Sequence, residues 1–65
     1  MTWTEFDRVC ERAGFERSKT DETWWKGGTQ AVWKHYHAAL VYFPTGAVSG
    51  EIVSARALRV YLEAV

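Results

Sequence analysis

Apolar residues near the start of the chain recur with the period of an α-helix. Four of them stand at positions i, i+3, i+4 and i+7 and therefore share one helical face: Phe6, Val9, Cys10 and Ala13. Thr2 and Glu5 have the spacing of a capping box, which indicates where the helix begins. Gly14 predicts its end, because glycine readily adopts the left-handed conformation of a C-terminal cap, and Phe15 is placed to fold back on Cys10.

The same apolar spacing returns in the last part of the sequence. It is formed by Leu58, Tyr61, Leu62 and Val65. Ser54 is a favourable N-cap residue for this second helix, and Val53 and Leu58 occupy the positions of a hydrophobic staple. Arg59 and Glu63 form an i,i+4 pair on its outer side.

The residues between the two helical patterns favour β-strands. Gly27-Gly28 predicts a two-residue hairpin turn between TWWK and TQAVW. Residues 29–43 contain no glycine or proline, but this run is longer than a usual strand of about five or six residues. We therefore expect a bend near residues 36–38, and Pro44-Thr45-Gly46 then ends the sheet.

These elements predict a single α+β domain spanning residues 1–65. Its simplest architecture is αβββα, a three-stranded antiparallel meander with the N- and C-terminal helices packed on one face. The other face of the sheet is then open. Because side chains alternate along a strand, the adjacent Trp24 and Trp25 must point to opposite faces. At least one tryptophan is thus expected on the surface away from the helices.

Composition adds a surplus of aromatic area to this small fold. The 65 residues include four Trp, three Tyr and three Phe, more than so short a chain is expected to enclose. We expect the excess to contact a partner. A single cysteine excludes a disulfide within the chain and a cysteine-based zinc site. Since Cys10 lies on the apolar helical stripe, we interpret it as a buried core residue and not as a nucleophile.

The balance of charge and the distribution of apolar residues narrow the class of protein further. Eight basic residues match eight acidic ones, which argues against nonspecific affinity for nucleic acids or membranes. No apolar run is long enough to predict a membrane span. The opening residues do not resemble a signal peptide, so an intracellular, cytoplasmic location is expected.

Two groups of residues are candidates for a functional site. The first mixes aromatic and basic side chains: Trp24, Trp25, Lys26, Trp33, Lys34 and Tyr36. Such residues can form core and dimer contacts, bind a partner protein, or stack on RNA bases while the lysines contact phosphates. The second group is His35 and His37, which share a face if the strand continues. No further ligand or orienting carboxylate is evident beside them, so we predict no metal, no cofactor and no small-molecule substrate, with His35 a weak catalytic candidate.

Several segments resemble the HicA family, small mRNA-cleaving toxins with a double-stranded-RNA-binding-like αβββα fold. EFDRVCERAGF is similar to the family's opening helix, GTQAVWKH (residues 28–35) to its second strand, LVYFP to its third strand, and EIVSARALRVYLEAV to its final helix. The resemblance implies RNA cleavage by a histidine, but the family's catalytic position falls at Gln30, and His35 matches a second, less regular histidine. Glutamine cannot act as a general acid or base near neutral pH.

The sequence therefore leaves three functional hypotheses, of which the first two are the main ones. The first is a non-catalytic interaction module, a regulator or inhibitor of the kind carried by phages and other mobile elements, which binds a partner protein or forms a homodimer through an aromatic-rich sheet face. The second is a HicA-like toxin, or a catalytically decayed RNA-binding relative in which His35 replaces the missing histidine. A purely structural subunit is the third.

Overall fold

The fold is an N-terminal helix, a four-stranded antiparallel sheet and a C-terminal helix, in a computed structural model that describes residues 1–18, 22–34 and 36–64. The helices are α1 (Trp3–Arg12) and α2 (Ala55–Glu63). The strands are β1 (Glu16–Arg17), β2 (Thr23–Lys26), β3 (Thr29–Lys34) and β4 (Ala38–Tyr42). They lie in the sheet in chain order, and each pairs antiparallel with the next.

Both helices begin at the residues that the sequence predicts. In α1 the capping box is complete: the Glu5 backbone N–H donates to Thr2 Oγ1 at 3.2 Å, and the Thr2 N–H donates to Glu5 Oε1 at 2.9 Å. In α2 the Ala57 N–H donates to Ser54 Oγ at 3.1 Å. These bonds satisfy N–H groups that have no partner within the helix, so the caps stabilise the first turns.

The end of α1 is the predicted glycine cap. Gly14 has φ +85°, and its N–H donates to the Glu11 carbonyl at 3.1 Å. The Phe15 N–H donates to the Cys10 carbonyl at 3.1 Å, which completes a Schellman motif and folds Phe15 back on the helix. The buried Phe15 ring thereby joins the core directly after the helix ends.

The stripe of α2 is confirmed in part. Leu58 and Leu62 are fully buried, whereas Tyr61 is partly exposed and lies 6.5 Å from Phe43, measured between ring centroids. Val65 lies outside the described residues. The predicted pair of Arg59 and Glu63 is present, with 3.7 Å between Nε and Oε1.

The sheet contains both predicted turns. Lys26 pairs with Thr29 across a two-residue connection in which Gly27 has φ +58°, the left-handed value that tight hairpins require at this position. Between β3 and β4 the chain turns at Tyr36-His37, where His37 has φ +63°. The single long strand is thus divided near residues 36–38, as expected.

The predicted count of three strands is wrong, because β1 adds a fourth at the edge. Glu16 pairs with Trp25 and Arg17 with Trp24, so the chain leaving α1 runs antiparallel to β2. Two charged residues carry no apolar alternation that would predict a strand. Their pairing follows from the glycine cap of α1, since the reversal at Gly14 places the following residues beside β2.

One hydrophobic core joins the helices to one face of the sheet. Alternate strand residues contribute Trp24, Ala31, Trp33, Ala39 and Val41. The helices contribute Phe6, Cys10, Leu58 and Leu62, with Phe15 and Ile52 from the connecting segments. Trp33 contacts two aromatic rings of α1, with centroids 5.8 Å from Trp3 and 5.3 Å from Phe6.

Gly28→Ala is expected to destabilise the protein by roughly 1–3 kcal/mol, since adding a methyl group to a packed contact forces the backbone to shift. A Cβ at this position would lie 2.9 Å from Pro44 Cβ and 3.2 Å from Pro44 Cγ, and the proline ring cannot rotate away. Urea denaturation measures the loss. Gly50→Ala is the matched control, because a Cβ there meets no atom within 4 Å. Equal effects of the two substitutions would contradict the assigned Pro44 contact.

Candidate functional site

The strand register defines a face of the sheet that points away from the core. Trp25 pairs with Gln30, and Gln30 with Tyr42, so these side chains form one row across the strands. We call the outer face the residues that alternate with the core positions: Glu16, Thr23, Trp25, Gln30, Val32, Lys34, Ala38, Leu40 and Tyr42.

Four large apolar side chains lie on the outer face. Trp25 is 46% exposed, which is a large area for a tryptophan. Val32, Leu40 and Tyr42 are half-buried and do not belong to the hydrophobic core cluster. Thr23 and Ala38 are buried, so the accessible area is concentrated around Trp25 and its row.

The structure separates the tryptophans that the sequence grouped together. Trp24 and Trp33 are only 5% and 8% exposed and lie in the core, so neither forms part of an accessible surface. Trp25 lies on the opposite side of the sheet from Trp24, which confirms the expected alternation. Of the predicted aromatic contacts, Trp25 and Tyr36 are exposed.

The two candidate lysines also lie on different faces. Lys26 is on the core side, where its Nζ donates to the Ala13 carbonyl at 3.0 Å and lies 5.9 Å from the Phe15 ring centroid. A cation at the C-terminus of α1 is favoured by the helix dipole, so Lys26 has a structural role. Lys34 lies on the outer face and is half-buried.

Tyr36 lies in the turn between β3 and β4, beyond the rows of the outer face. The Glu51 carboxylate, chiefly as a hydrogen-bond acceptor, raises the pKa of the Tyr36 phenol above its ordinary value. Directly after this turn, Ala39 of β4 and Ile52 of the segment before α2 exchange backbone hydrogen bonds of 2.9 Å. Tyr36 remains 60% exposed.

His37 does not lie on a continuation of β3, as the predicted pairing of the two histidines on one strand face requires. β3 ends at Lys34, and His37 lies in the turn with its ring edge-on to Trp33, 6.3 Å between centroids. His35 lies outside the described residues. Within residues 1–18, 22–34 and 36–64, no three His, Cys, Asp or Glu side chains are grouped closely enough to hold a metal ion.

No helix in the described part of the chain is long and apolar enough to cross a membrane.

Cys10 is fully enclosed in the core, as its place on the apolar stripe predicts. Burial, with a smaller contribution from the nearby Asp7 carboxylate, raises the pKa of the thiol to about 12. A neutral, enclosed thiol is a poor nucleophile.

The outer face also contains residues that sequence reasoning did not select. Gln30, Val32, Leu40 and Tyr42 surround Trp25 or share its face. The alternation of β3 and β4 was a usable signal, since these residues have the parity opposite to the core. What the sequence lacked was the register that aligns Trp25 with Gln30 and Tyr42.

Comparisons with known proteins leave the family of this chain open. No protein-family model, curated protein or solved structure matches it. The resemblance to HicA toxins therefore stays a prediction. The position where that resemblance places the catalytic histidine, Gln30, is half-buried on the outer face between Trp25 and Tyr42.

Proposed function

We propose that this protein is a non-catalytic module that binds a partner protein through the outer face, and that it regulates or inhibits that partner. The observation that carries the proposal is Trp25, a half-exposed tryptophan on the sheet face opposite the core, which it shares with the half-buried apolar side chains of Val32, Leu40 and Tyr42. Tryptophan and tyrosine are the residues most enriched among binding hot spots. The outer face has one residue of each kind, Trp25 and Tyr42, in the same row, with the side-chain amide of Gln30 between them.

The charge of the outer face favours a protein over a nucleic acid as the occupant. Its nine residues include one acid, Glu16, and one base, Lys34. The neighbouring bases Arg17 and Lys26 lie on the core side, where Arg17 stacks 5.1 Å from the Trp3 ring centroid. Affinity for a phosphate backbone requires several cations on one surface. An apolar centre with few charges is instead typical of the buried part of a protein interface.

Trp25→Ala is expected to reduce affinity for the partner about 30-fold or more, the effect of removing an interface hot spot. The fold should be retained, because the side chain is 46% exposed and lies outside the core cluster. Val60→Ala, an exposed apolar position on α2, is the matched control and should bind as the wild type does. Equal binding by the Trp25→Ala and wild-type proteins would contradict the proposal.

A photo-crosslinking amino acid can identify the partner and its place of contact. It is introduced at Gln30, beside Trp25, and in a second protein at Val60. The proposal predicts a protein adduct that forms from position 30, is absent from position 60, survives nuclease and is lost when Trp25→Ala is added. The absence of an adduct specific to position 30 would overturn the proposal.

The alternatives give different adducts in the same experiment. A product of twice the chain mass would show that the outer face binds a second copy of the protein. A nuclease-sensitive adduct would replace the proposal with the HicA-like hypothesis, and growth inhibition relieved by His35→Ala would then test catalysis directly.

A further inference from the structure

A cleft of about 340 Å³ lies between the two helices, in a different part of the molecule from the outer face. Its apolar wall is formed by Val9 and Ala13 of α1 and by Ala55 of α2. Its volume is at the low end of the range of about 300–1,000 Å³ typical of ligand pockets. The space therefore suits a short segment or a few side chains.

Three arginines line this cleft. Arg12 comes from the last turn of α1, and Arg56 and Arg59 come from α2. Glu63 is the acidic residue in the lining, and it pairs with Arg59 at 3.7 Å. The cleft thus carries an excess of two positive charges in a chain whose formal net charge is zero.

Arg56 also lies at the start of a helix, close to the positive end of its dipole. It stands in the first turn of α2, where the helix dipole favours a negative charge, and that turn contains no acidic residue. In α1, by contrast, Glu5 occupies the corresponding region. A carboxylate bound between Arg12 and Arg56 would supply the negative charge that the start of α2 lacks.

We infer that the interhelical cleft binds an acidic peptide segment of a protein, with glutamate side chains as the preferred ligands. Arginine pairs with carboxylates through two parallel hydrogen bonds, which gives the contact direction as well as strength. The methylene groups of glutamate would pack on Val9, Ala13 and Ala55 while its carboxylate meets the guanidinium groups. This site includes none of the outer-face residues, so the inference can be tested independently of the proposed function.

The test measures fluorescence anisotropy of a labelled peptide containing six consecutive glutamates, mixed with the intact 65-residue chain at low salt. Arg12→Gln and Arg56→Gln are each expected to weaken binding about 3- to 10-fold, as loss of a charge-assisted contact would. Arg8→Gln is the matched control: it removes the same charge from an exposed residue of α1 that does not line the cleft, and should change affinity less than about twofold. Trp25→Ala should leave peptide binding unchanged, whatever its effect on the sheet-face partner.

Three results would overturn the inference. Undetectable peptide binding at low salt is the first. Equal weakening by Arg8→Gln and Arg56→Gln is the second, since it would show a diffuse charge effect. The third is stronger binding of a single-stranded RNA of equal charge that depends on the same arginines, because the cleft would then recognise phosphate.

Discussion

Phe6→Ala is expected to remove about a third or more of the protein's stability, about 3–5 kcal/mol. Phe6 is fully buried, and its ring lies 5.6 Å from Trp3 and 5.3 Å from Trp33, between centroids. Removing a buried phenylalanine costs about 3–5 kcal/mol through lost burial and the cavity that remains. A domain of this length has only roughly 3–10 kcal/mol of total stability, so the loss is a large part of the whole. Circular dichroism and urea denaturation measure it.

An exposed apolar residue provides the control for this substitution. Val60 is 61% exposed, and Val60→Ala should change the free energy of unfolding by less than about 0.5 kcal/mol. The prediction fails if Phe6→Ala retains the wild-type spectrum and loses less than about 1 kcal/mol. That result would mean that the remaining rings of the cluster repack around the vacant volume.

The helices were the most predictable part of this fold because their signals are local. Thr2 and Glu5, three residues apart, exchange hydrogen bonds within one turn, and Gly14 ends the helix through its own backbone conformation. The hairpin at Gly27-Gly28 is local in the same sense. Each of these features needs no information about residues elsewhere in the chain, so a short stretch of sequence is sufficient.

Strand β1 shows where local information ends. Glu16 and Arg17 are both exposed and polar, and they form a strand only because Trp25 and Trp24 of β2 lie beside them. No periodicity within two residues can predict such a pairing. The edge strand follows from tertiary structure, specifically from the direction in which the Schellman motif at Gly14 sends the chain.

The candidate site was predictable as a composition but not as a surface. Alternation requires Trp24 and Trp25 to face opposite ways, yet it does not say which of them faces the helices. The register resolves this: Trp24 pairs with Ala31 and Trp25 with Gln30, and Ala31 belongs to the core. Because a shift of one residue would exchange the two faces, selecting Trp25 required the three-dimensional pairing.

The resulting structure places two distinct surfaces on a very small domain. The outer face carries Trp25 and three half-buried apolar side chains with one acid and one base, whereas the interhelical cleft is lined by three arginines and one glutamate. Because one surface is largely apolar and the other is basic, a single region of a partner would not bind both surfaces. A partner that presents an apolar patch and a separate acidic segment could engage both at once, and linking the two contacts would raise its affinity above that of either.

Cys10 is expected to react with a thiol reagent at least about a hundredfold more slowly in the native protein than in the unfolded chain. The thiol is fully buried, and its pKa of about 12 lies three units above the reference value of 9.0. At pH 8 this shift alone lowers the thiolate fraction about a thousandfold. Burial also blocks access, so reaction requires opening of the core, and even the lowest stability expected for this length makes opening rarer than about one molecule in a hundred. Release of the chromophore from a disulfide reagent measures the rate.

The wild-type protein in urea supplies the unfolded rate for this comparison, and Cys10→Ala supplies the baseline without a thiol. A native rate within tenfold of the unfolded rate would contradict the prediction and would show that the last turn of α1 opens independently of the core. Because Phe6 and Cys10 share one buried cluster, Phe6→Ala should raise the reactivity of Cys10 toward the unfolded value. The thiol thus reports on the same cooperative unit that the loss of Phe6 disrupts.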